Sequence, residues 1–331
     1  MAPGLVHDDS DAVAGAAAAA KPTVYVLDKF QPAVIEYVQD KFNAILPGMP
    51  GHEDWRAKAQ YLLIRSSYLT AEDVENSPNL IAVGKQGVGI DKIDAKACAA
   101  RGIKIFNTPG VNARAVAELA LTLACSVARC VGTINRRQNA GQPVPKETCS
   151  GLILHKRPIG VIGMGNIGKT VATIFRGAYE APIIAYDPYM PADAWSDLPH
   201  TRVSTVEELL RASDIVSVHV PLTESTRNLI SMKELKLLGK EAIVINTARG
   251  GIINEADLET AVKEGIIWGA GLDCHEQEPP TFEKYSSMWQ GNILSTPHIG
   301  AATEQTQIET GMAAARYLYE FTQSQSAGKG N

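Results

Sequence analysis

The sequence predicts an α/β protein with two doubly wound parallel sheets. Three observations predict this class. Short β-branched runs alternate with helical patterns, the alternation restarts after a long apolar helix, and 331 residues exceed one compact core of about 150 residues. Because strand–helix–strand units need crossover connections, the paired strands should be parallel. We therefore expect two sheets and two domains.

The first sheet is predicted from four short runs. They read TVYVLD, YLLIRS, LIAVGK and IKIFN, with helices expected at PAVIEYVQDKF and DAKACAARG. A long apolar helix follows at about residues 113–131. Because it is apolar nearly all round, we expect it to be buried. It could cross between domains, pack in a dimer or serve equally well as an ordinary core helix.

The second sheet is predicted from the runs that follow this helix. They read RPIGVIGMG, APIIAYD, DIVSVHV, AIVIN, WGAGLDC and NILST. A last helical pattern spaces Ile308, Met312, Ala315 and Leu318 on one face, and we expect that face to return to the first domain. The predicted boundaries are a disordered tail at 1–20, one domain at 21–112 plus 301–322, a second at 113–300, and a flexible tail at 323–331.

Composition excludes several classes of partner. A formal charge of −5 and a pI near 5.8 give no basic field for nucleic acid or an anionic membrane. The apolar stretch is interrupted by Glu118, Thr122, Ser126 and Arg129. It therefore has fewer than the about 18 consecutive apolar residues that a membrane span needs. The five cysteines show neither disulfide nor metal-site spacing. We expect a soluble, cytoplasmic protein without a metal.

A glycine-rich loop follows the first strand of the second sheet. Gly163, Gly165 and Gly168 lie between the strand PIGVI and the helical run KTVATIFRGAYE. In this context the glycines allow a tight turn, close approach of a pyrophosphate and close packing of helix on strand. Free N–H groups at the helix start then face the phosphates. We therefore predict a dinucleotide site that also includes Asn166 and Ile167.

The next strand ends in an acidic residue, Asp187, about 20 residues past the last glycine. A carboxylate there accepts from both ribose hydroxyls and repels a 2′-phosphate. The three residues after it include no arginine that could receive that phosphate, so NAD(H) is favoured over NADP(H). The alternative is an aspartate that only begins an Asp-Pro turn.

Polar side chains end three later strands. AIVINTARG contains Arg249, GLDCHEQEPP contains Asp273 and Glu278, and ILSTPHIG contains His298. Because the carboxyl ends of parallel strands meet at one edge, we expect these side chains at the edge that carries the glycine loop. Reduction of a 2-oxo acid needs a proton donor, for which imidazole is suited near neutral pH. A carboxylate orients the imidazole, and an arginine fork holds the substrate.

These segments resemble a known family. INTARGG, the GLDxxxxEP spacing, TPHIGAAT and GMGNIG are similar, in order, to signatures of the D-isomer-specific 2-hydroxyacid dehydrogenases, and the resemblance covers about residues 60–310. It implies that Arg249, Glu278 and His298 are catalytic and that Asp273 meets the nicotinamide. It also implies a Rossmann cofactor domain inserted into a flavodoxin-like substrate domain, and homodimers built through the cofactor domains.

Further cofactor contacts are expected at neighbouring strand ends, from Val220, Thr247 and Ala248, and from Val88 in the first domain. One departure from the family is Asp273-Cys274-His275, where Asp-Val-Phe is common. His275 is either a second titrating group near Glu278 or a replacement for an aromatic packing residue.

The substrate side is predicted in the first domain. Gly87, Val88 and Gly89 follow the strand LIAVGK and can form an anion-binding concavity, where the resemblance places the substrate carboxylate. Arg65 and Lys85 also end strands, although such residues are often only solvated.

The surrounding pattern resembles the phosphoglycerate dehydrogenase branch, whose corresponding basic residues bind substrate. That branch generally has arginine at position 85, and lysine lacks the planar fork. We still expect a substrate with a second anionic group, such as 3-phosphoglycerate, and no C-terminal regulatory domain.

The leading hypothesis is an NAD-dependent reductase of small 2-oxo acids. A different class on the same fold is an NAD-sensing interaction protein similar to the C-terminal-binding-protein corepressors, which retain the same triad. A relative of formate dehydrogenase would carry glutamine beside the histidine, and Glu278 opposes it.

Overall fold

A five-stranded parallel sheet forms the first half of the structure, a computed structural model that describes residues 21–327. The strand order is β2-β1-β3-β4-β5. The strands are β1 (Thr23–Val26), β2 (Asn43–Ile45), β3 (Tyr61–Ile64), β4 (Ala82–Lys85) and β5 (Lys104–Phe106). This is the doubly wound order of flavodoxin-like domains. The predicted tail at residues 1–20 lies outside the described residues.

A seven-stranded parallel sheet forms the second half, in the order β12-β11-β10-β9-β6-β7-β8. Its strands are β6 (Ile159–Ile162), β7 (Ile183–Tyr186), β8 (Thr201–Arg202), β9 (Ile215–Val218), β10 (Ile243–Asn246), β11 (Gly269–Leu272) and β12 (Ile293–Ser295). Read from β8, the order is the Rossmann order with a seventh strand added. The predicted fold class is confirmed. The strand order reverses between β6 and β9, because the strands before and after this point are added on opposite sides. Such sheets bind ligands at this point.

Twelve α-helices are found within residues 21–327. They are α1 (Pro32–Lys41), α2 (Trp55–Lys58), α3 (Ala71–Glu75), α4 (Ala95–Ala100), α5 (Ala113–Ala128), α6 (Val131–Asn139), α7 (Asn166–Tyr179), α8 (Val206–Arg211), α9 (Met232–Leu235), α10 (Glu255–Lys263), α11 (Phe282–Tyr285) and α12 (Glu304–Ala327). Side-chain caps begin several of them. Asn254, for example, accepts the Asp257 N–H group at the start of α10.

The long apolar helix differs from its prediction. It ends at Ala128, and α6 begins after Cys130, whose φ of +55° lies in the left-handed region. Only one side of α5 is buried, since Arg114 and Glu118 are exposed. A Cβ on Gly271 would lie 2.7 Å from the Leu123 Cβ, so the small residues of β11 let α5 pack closely on the sheet.

No single helix among the described residues is long and apolar enough to cross a membrane. The bent pair α5 and α6 meets the criteria of length and composition when taken together, with a 66° angle between its members.

The last helix, α12, lies against the first sheet. Ala314, Ala315 and Leu318 are buried in one core with Val34 and Val38 of α1. The helix continues to Ala327, so the prediction of a flexible tail is wrong for residues 323–327. Residues 328–331 lie outside the described part of the chain.

Candidate active site

The glycine loop begins at the end of β6. Gly163 has φ +99°, and a Cβ there would collide with the His219 carbonyl group at the end of β9. A Cβ on Gly168 would collide with the Gly163 carbonyl oxygen, so α7 packs directly on the turn. A Cβ on Gly165, in contrast, would meet no atom within 4 Å. The first and third glycines are thus required by packing, while the middle one leaves open space before α7 that fits a pyrophosphate.

Asp187 directly follows β7, beside this loop. One carboxylate oxygen accepts the Met164 N–H group and the other accepts the Tyr189 N–H group, both at 2.9 Å. Asp187 therefore does hold the turn after its strand. A carboxylate offers about four acceptor positions, so two remain for the ribose hydroxyls of a dinucleotide.

Arg202, on the edge strand β8, lies against the same loop. Its guanidinium group donates to the carbonyl oxygens of Asp187 at 2.8 Å and of Met190 and Pro191, both at 2.5 Å. This arginine could not be expected from the residues directly after Asp187, because it lies 15 positions further along the chain. By donating to these three carbonyl oxygens, Arg202 holds the loop after β7 in one conformation.

Asn246 was also missed, although it is the last residue of β10. Its side chain, 2% exposed, accepts the Ala248 N–H group at 3.0 Å and donates to the Arg249 carbonyl oxygen at 2.7 Å. This brace shapes the turn that carries Thr247, Ala248 and Arg249. The Thr247 hydroxyl group is buried without a hydrogen-bond partner in residues 21–327, so a polar ligand could use it.

The remaining predicted cofactor contacts lie along the opening between the two sheets. Asn166 and Ile167 begin α7, and the Asn166 amide lies 3.0 Å from where a Gly110 Cβ would be. Val220 follows β9 and lies 3.0 Å from the corresponding Cβ position of Gly163. The Val88 carbonyl oxygen accepts from the Asn107 amide at 2.6 Å. Their contacts with a cofactor stay a prediction.

Asp273 holds the turn that carries His298. The Asp273 carboxylate, 1% exposed, accepts from the Thr296 hydroxyl group at 2.7 Å and from the N–H groups of Ile299 and Gly300, both at 2.8 Å. Its carbonyl oxygen accepts the His298 N–H group at 2.7 Å. These bonds fix His298 at φ +59°, an uncommon conformation for a residue other than glycine. The predicted contact of Asp273 with a nicotinamide remains untested.

His298 and Glu278 are paired. The His298 Nδ1 atom lies 2.8 Å from Glu278 Oε2, and the side chains are 42% and 37% exposed. Glu278 Oε1 accepts the His275 N–H group at 3.2 Å. Burial raises the pKa of Glu278, but the bond and charge of His298 outweigh it and hold that pKa below its ordinary value. An ionised Glu278 requires Nδ1 to donate, which leaves Nε2 of His298 available for chemistry.

Arg249 is bound by the carboxylate of Asp91, which follows β4 of the first sheet. Its Nε and Nη2 atoms donate to Asp91 Oδ2 at 3.1 and 2.9 Å, and Nη1 donates to the Ala248 carbonyl oxygen at 2.7 Å. A Cβ on Gly89 would collide with the guanidinium group, so the bare backbone makes room for it. Burial raises the pKa of Asp91, but Arg249 holds it below its ordinary value. Asp91 was not among the predicted site residues, although it lies two residues after Gly89.

The two predicted substrate cations differ in environment. Lys85 is 7% exposed, donates to the Gln86 carbonyl oxygen at 2.5 Å and lies 3.6 Å from the Cβ position of Gly87. Burial lowers the pKa of Lys85 to about 8. Arg65 is exposed, and its side chain makes no hydrogen bond or ion pair within the described residues. Asp28 instead accepts the Arg65 backbone N–H group at 2.6 Å.

His275 packs inside the second domain. It is 3% exposed, its ring meets that of Tyr285 edge-to-face at 5.1 Å, and its Nε2 atom lies 2.6 Å from the Ser295 hydroxyl group. Burial lowers its pKa. Of the two alternatives, this environment favours the aromatic packing role.

The sheet order, the glycine loop and the paired side chains at the strand ends define a dinucleotide-binding protein of the dehydrogenase class. Residues 121–300 match the family described as D-isomer specific 2-hydroxyacid dehydrogenase, NAD binding domain. The chain belongs to this family, as the resemblance predicted.

Relatives with curated names include the hydroxypyruvate reductase of Thermotoga maritima, 38% identical over 263 residues, 78% of this chain and 83% of that protein. The D-3-phosphoglycerate dehydrogenase of Methanocaldococcus jannaschii is 35% identical over 270 residues, 81% of this chain and 51% of that protein. The chain thus spans about half the length of this second relative.

Among solved structures, the NADPH-dependent glyoxylate/hydroxypyruvate reductase from Sinorhizobium meliloti in complex with citrate has a TM-score of 0.76 and 28% identity. The alignment covers 89% of this chain and 93% of that one. These comparisons give no support to the alternative of an NAD-sensing interaction protein.

Proposed function

We propose that this chain is an NAD-dependent reductase of small 2-oxo acids that produces D-2-hydroxy acids. The observation that carries the proposal is the His298–Glu278 pair, held at 2.8 Å at the sheet edge that also presents Arg249 and the glycine loop. The names of the relatives, hydroxypyruvate reductase and D-3-phosphoglycerate dehydrogenase, support this substrate class.

The nucleotide, when bound, supplies or accepts a hydride at its nicotinamide ring. The open space at Gly165 and the unpartnered Thr247 hydroxyl group fit such a ligand. Asp187 would accept from the ribose hydroxyl groups and repel a 2′-phosphate, which supports NAD over NADP. The other proposed contacts with the nucleotide come from Asp273, Val88, Val220, Asn166, Ile167 and Ala248.

Arg249 is proposed to hold the substrate carboxylate and polarise the C=O bond. Asp91 uses only one side of the guanidinium fork, through Nε and Nη2. The N–H bonds of Nη1 and Nη2 that point away from Asp91 remain for the substrate. The backbone of Gly87, Val88 and Gly89 would bind the same carboxylate from the first domain.

His298 is the proposed proton donor. In the imidazolium form, Nε2 gives a proton to the alkoxide oxygen that carbonyl reduction creates, and the neutral ring accepts it in the reverse reaction. Glu278 stabilises the imidazolium charge and fixes the ring through Nδ1. The low pKa of Glu278 keeps it ionised throughout.

A second anionic group on the substrate is part of the proposal. Lys85 lies buried at the Gly87 loop, and the Arg65 guanidinium group has no partner within residues 21–327. The two cations suit different tasks, because Lys85 can neutralise charge inside the opening and Arg65 can bind an anion at its rim. We also propose a homodimer built through the cofactor domains and a cytoplasmic location, the latter supported by five free cysteines.

Steady-state NADH oxidation tests the proposal. The purified chain is assayed with glyoxylate, hydroxypyruvate, pyruvate, 2-oxoglutarate and 3-phosphohydroxypyruvate, each with NADH and with NADPH. We expect turnover with NADH, and the highest kcat/KM for an acid that carries a second polar or anionic group. A folded, NADH-binding protein without turnover on any of these acids would contradict the proposal.

A further inference from the structure

Cys274, Glu278 and His298 form a cluster that the proposed reaction does not use as a unit. One potential ligand atom from each, a thiol sulfur, a carboxylate oxygen and an imidazole nitrogen, lies within 4.8 Å of the other two. Cys274 and Glu278 lie on one turn after β11, and His298 lies on the turn after β12. Position 274 is the departure from the family pattern, where valine offers no ligand.

We propose that these three side chains bind a thiophilic divalent cation of the Zn²⁺ or Cd²⁺ type, and that the bound cation inhibits the enzyme. A sulfur, nitrogen and oxygen set is typical of zinc and its heavier relatives, whereas Mg²⁺ and Ca²⁺ prefer oxygen ligands alone. Three protein ligands leave a fourth tetrahedral position open for water or a substrate carboxylate.

The three ligand residues differ in exposure. Cys274 is 1% exposed, while Glu278 and His298 are each more than one-third exposed. Tetrahedral ligands at about 2.0–2.3 Å from a metal lie about 3.3–3.8 Å apart. Ligand atoms up to 4.8 Å apart must therefore approach by about 1 Å, whereas His298 Nδ1 and Glu278 Oε2, now 2.8 Å apart, must separate if both bind the metal.

Binding replaces bonds that the three ligands already make. The Cys274 thiol donates to the Ala248 carbonyl oxygen at 3.3 Å, a weak bond, while His298 Nδ1 and Glu278 Oε2 are paired at 2.8 Å. The cation displaces the thiol proton to solvent, so a metal–sulfur bond replaces the S–H bond. It also takes Glu278 and His298 from proton transfer, which explains inhibition. The inhibitory effect rests on the proposed function, but binding of the cation does not.

Direct binding is the first test. The full chain is stripped with a chelator and titrated with Cd²⁺ without cofactor or substrate, while the ultraviolet thiolate-to-metal charge-transfer band is recorded. We expect one equivalent to produce the band in the wild type and in the control Cys149→Ser, which removes a more accessible thiol. Cys274→Val should abolish the band, and Glu278→Gln should weaken binding at least tenfold. A band that persists in Cys274→Val, or none in the wild type, overturns the proposal.

Inhibition is the second test. Zn²⁺ should inhibit NADH oxidation reversibly, and a chelator should restore the activity. Each protein's activity is expressed relative to its own rate without Zn²⁺. On this scale, Cys274→Val should have a half-inhibitory Zn²⁺ concentration at least tenfold above that of the wild type. Equal sensitivity of the two proteins would overturn the inhibitory role. The Cd²⁺ band can be recorded without turnover. If the chain were inactive on every 2-oxo acid, the proposed function would be refuted, but the Cd²⁺ titration would still test the metal site. Millimolar Mg²⁺ should not displace Cd²⁺, and displacement would also count against the proposal.

Discussion

Replacing Asp91 by asparagine should impair the reaction by misplacing Arg249. Asp91 Oδ2 accepts two N–H groups of Arg249, at 3.1 and 2.9 Å, and no other acidic side chain contacts that guanidinium group within residues 21–327. Asparagine keeps an acceptor oxygen but loses the charge. The guanidinium group then keeps its bond to the Ala248 carbonyl oxygen and its contact with Gly89, but its ion pair becomes a weaker, neutral hydrogen bond.

The size of the effect follows from exposure. A hydrogen bond to a charged group contributes about 1.5–3 kcal/mol when buried. The Asp91 side chain is 56% exposed, so solvent screening lowers the coupling to about 1 kcal/mol. Because about 1.4 kcal/mol corresponds to tenfold, we expect kcat/KM for the 2-oxo acid to fall about fivefold.

The assay is steady-state NADH oxidation, with the affinity for NADH measured separately by fluorescence. NADH affinity should stay within about twofold, since Asp91 is not among the proposed cofactor contacts. Asp40→Asn is the matched control, because it removes a carboxylate whose only ion-pair partner in the described chain is Lys41. An unchanged kcat/KM for Asp91→Asn would refute the positioning role of Asp91, and a higher kcat/KM would show in addition that Asp91 competes with the substrate for Arg249.

Three further predictions concern the proposed site. His298→Ala should lower kcat by about 10² and leave NADH affinity nearly unchanged. His275→Phe, in contrast, should lower kcat less than about tenfold. Similar losses of kcat in the two variants would argue against His298 as the proton donor. Asp187→Ser should raise the preference for NADPH over NADH by at least about tenfold, because the repelling carboxylate is lost beside Arg202, and a constant ratio of kcat/KM values would contradict the ribose contact. Burial lowers the pKa of Lys85 to about 8, so Lys85 is charged below pH 8 and neutral above it. The dissociation constant of the unreactive dianionic analogue N-oxalylglycine in the NADH complex should rise about tenfold from pH 7 to 9, and Lys85→Met should flatten this change; an equal rise in both proteins would place the titration elsewhere.

Much of the fold could be predicted because its signals are local. Gly163 and Gly168 each lack a side chain for a packing reason that the spacing between strand and helix already indicates. The strands β2 and β8 were not predicted, since β2 begins with Asn43 and Ala44, which disfavour strands, and the two residues of β8 are too few to show a period. The break at Cys130 was missed because a left-handed residue other than glycine has no clear sequence signature.

The site was predictable where chemistry follows strand ends. Glu278 and His298 were expected to approach each other because both follow strand carboxyl ends at one edge of a parallel sheet, and the structure places them 2.8 Å apart. Asp91 and Arg202 were missed for a different reason. Asp91 meets Arg249 across 158 residues of sequence and between two sheets, which no periodicity encodes. Arg202 reaches the Asp187 loop from an edge strand that was itself not predicted.

The packing of α12 on the first sheet has a consequence for synthesis of the protein. Leu318 joins Val34 and Val38 in one core, and the Ala314 carbonyl oxygen lies 3.0 Å from the Cβ position of Gly84. The N-terminal strands must therefore wait, with one apolar face uncovered, until the ribosome has translated the whole glycine-loop half of the chain. A truncation before α12 should leave that half able to fold while the first sheet aggregates, so the first sheet, although it precedes the glycine-loop half in sequence, is the later of the two to reach its native state.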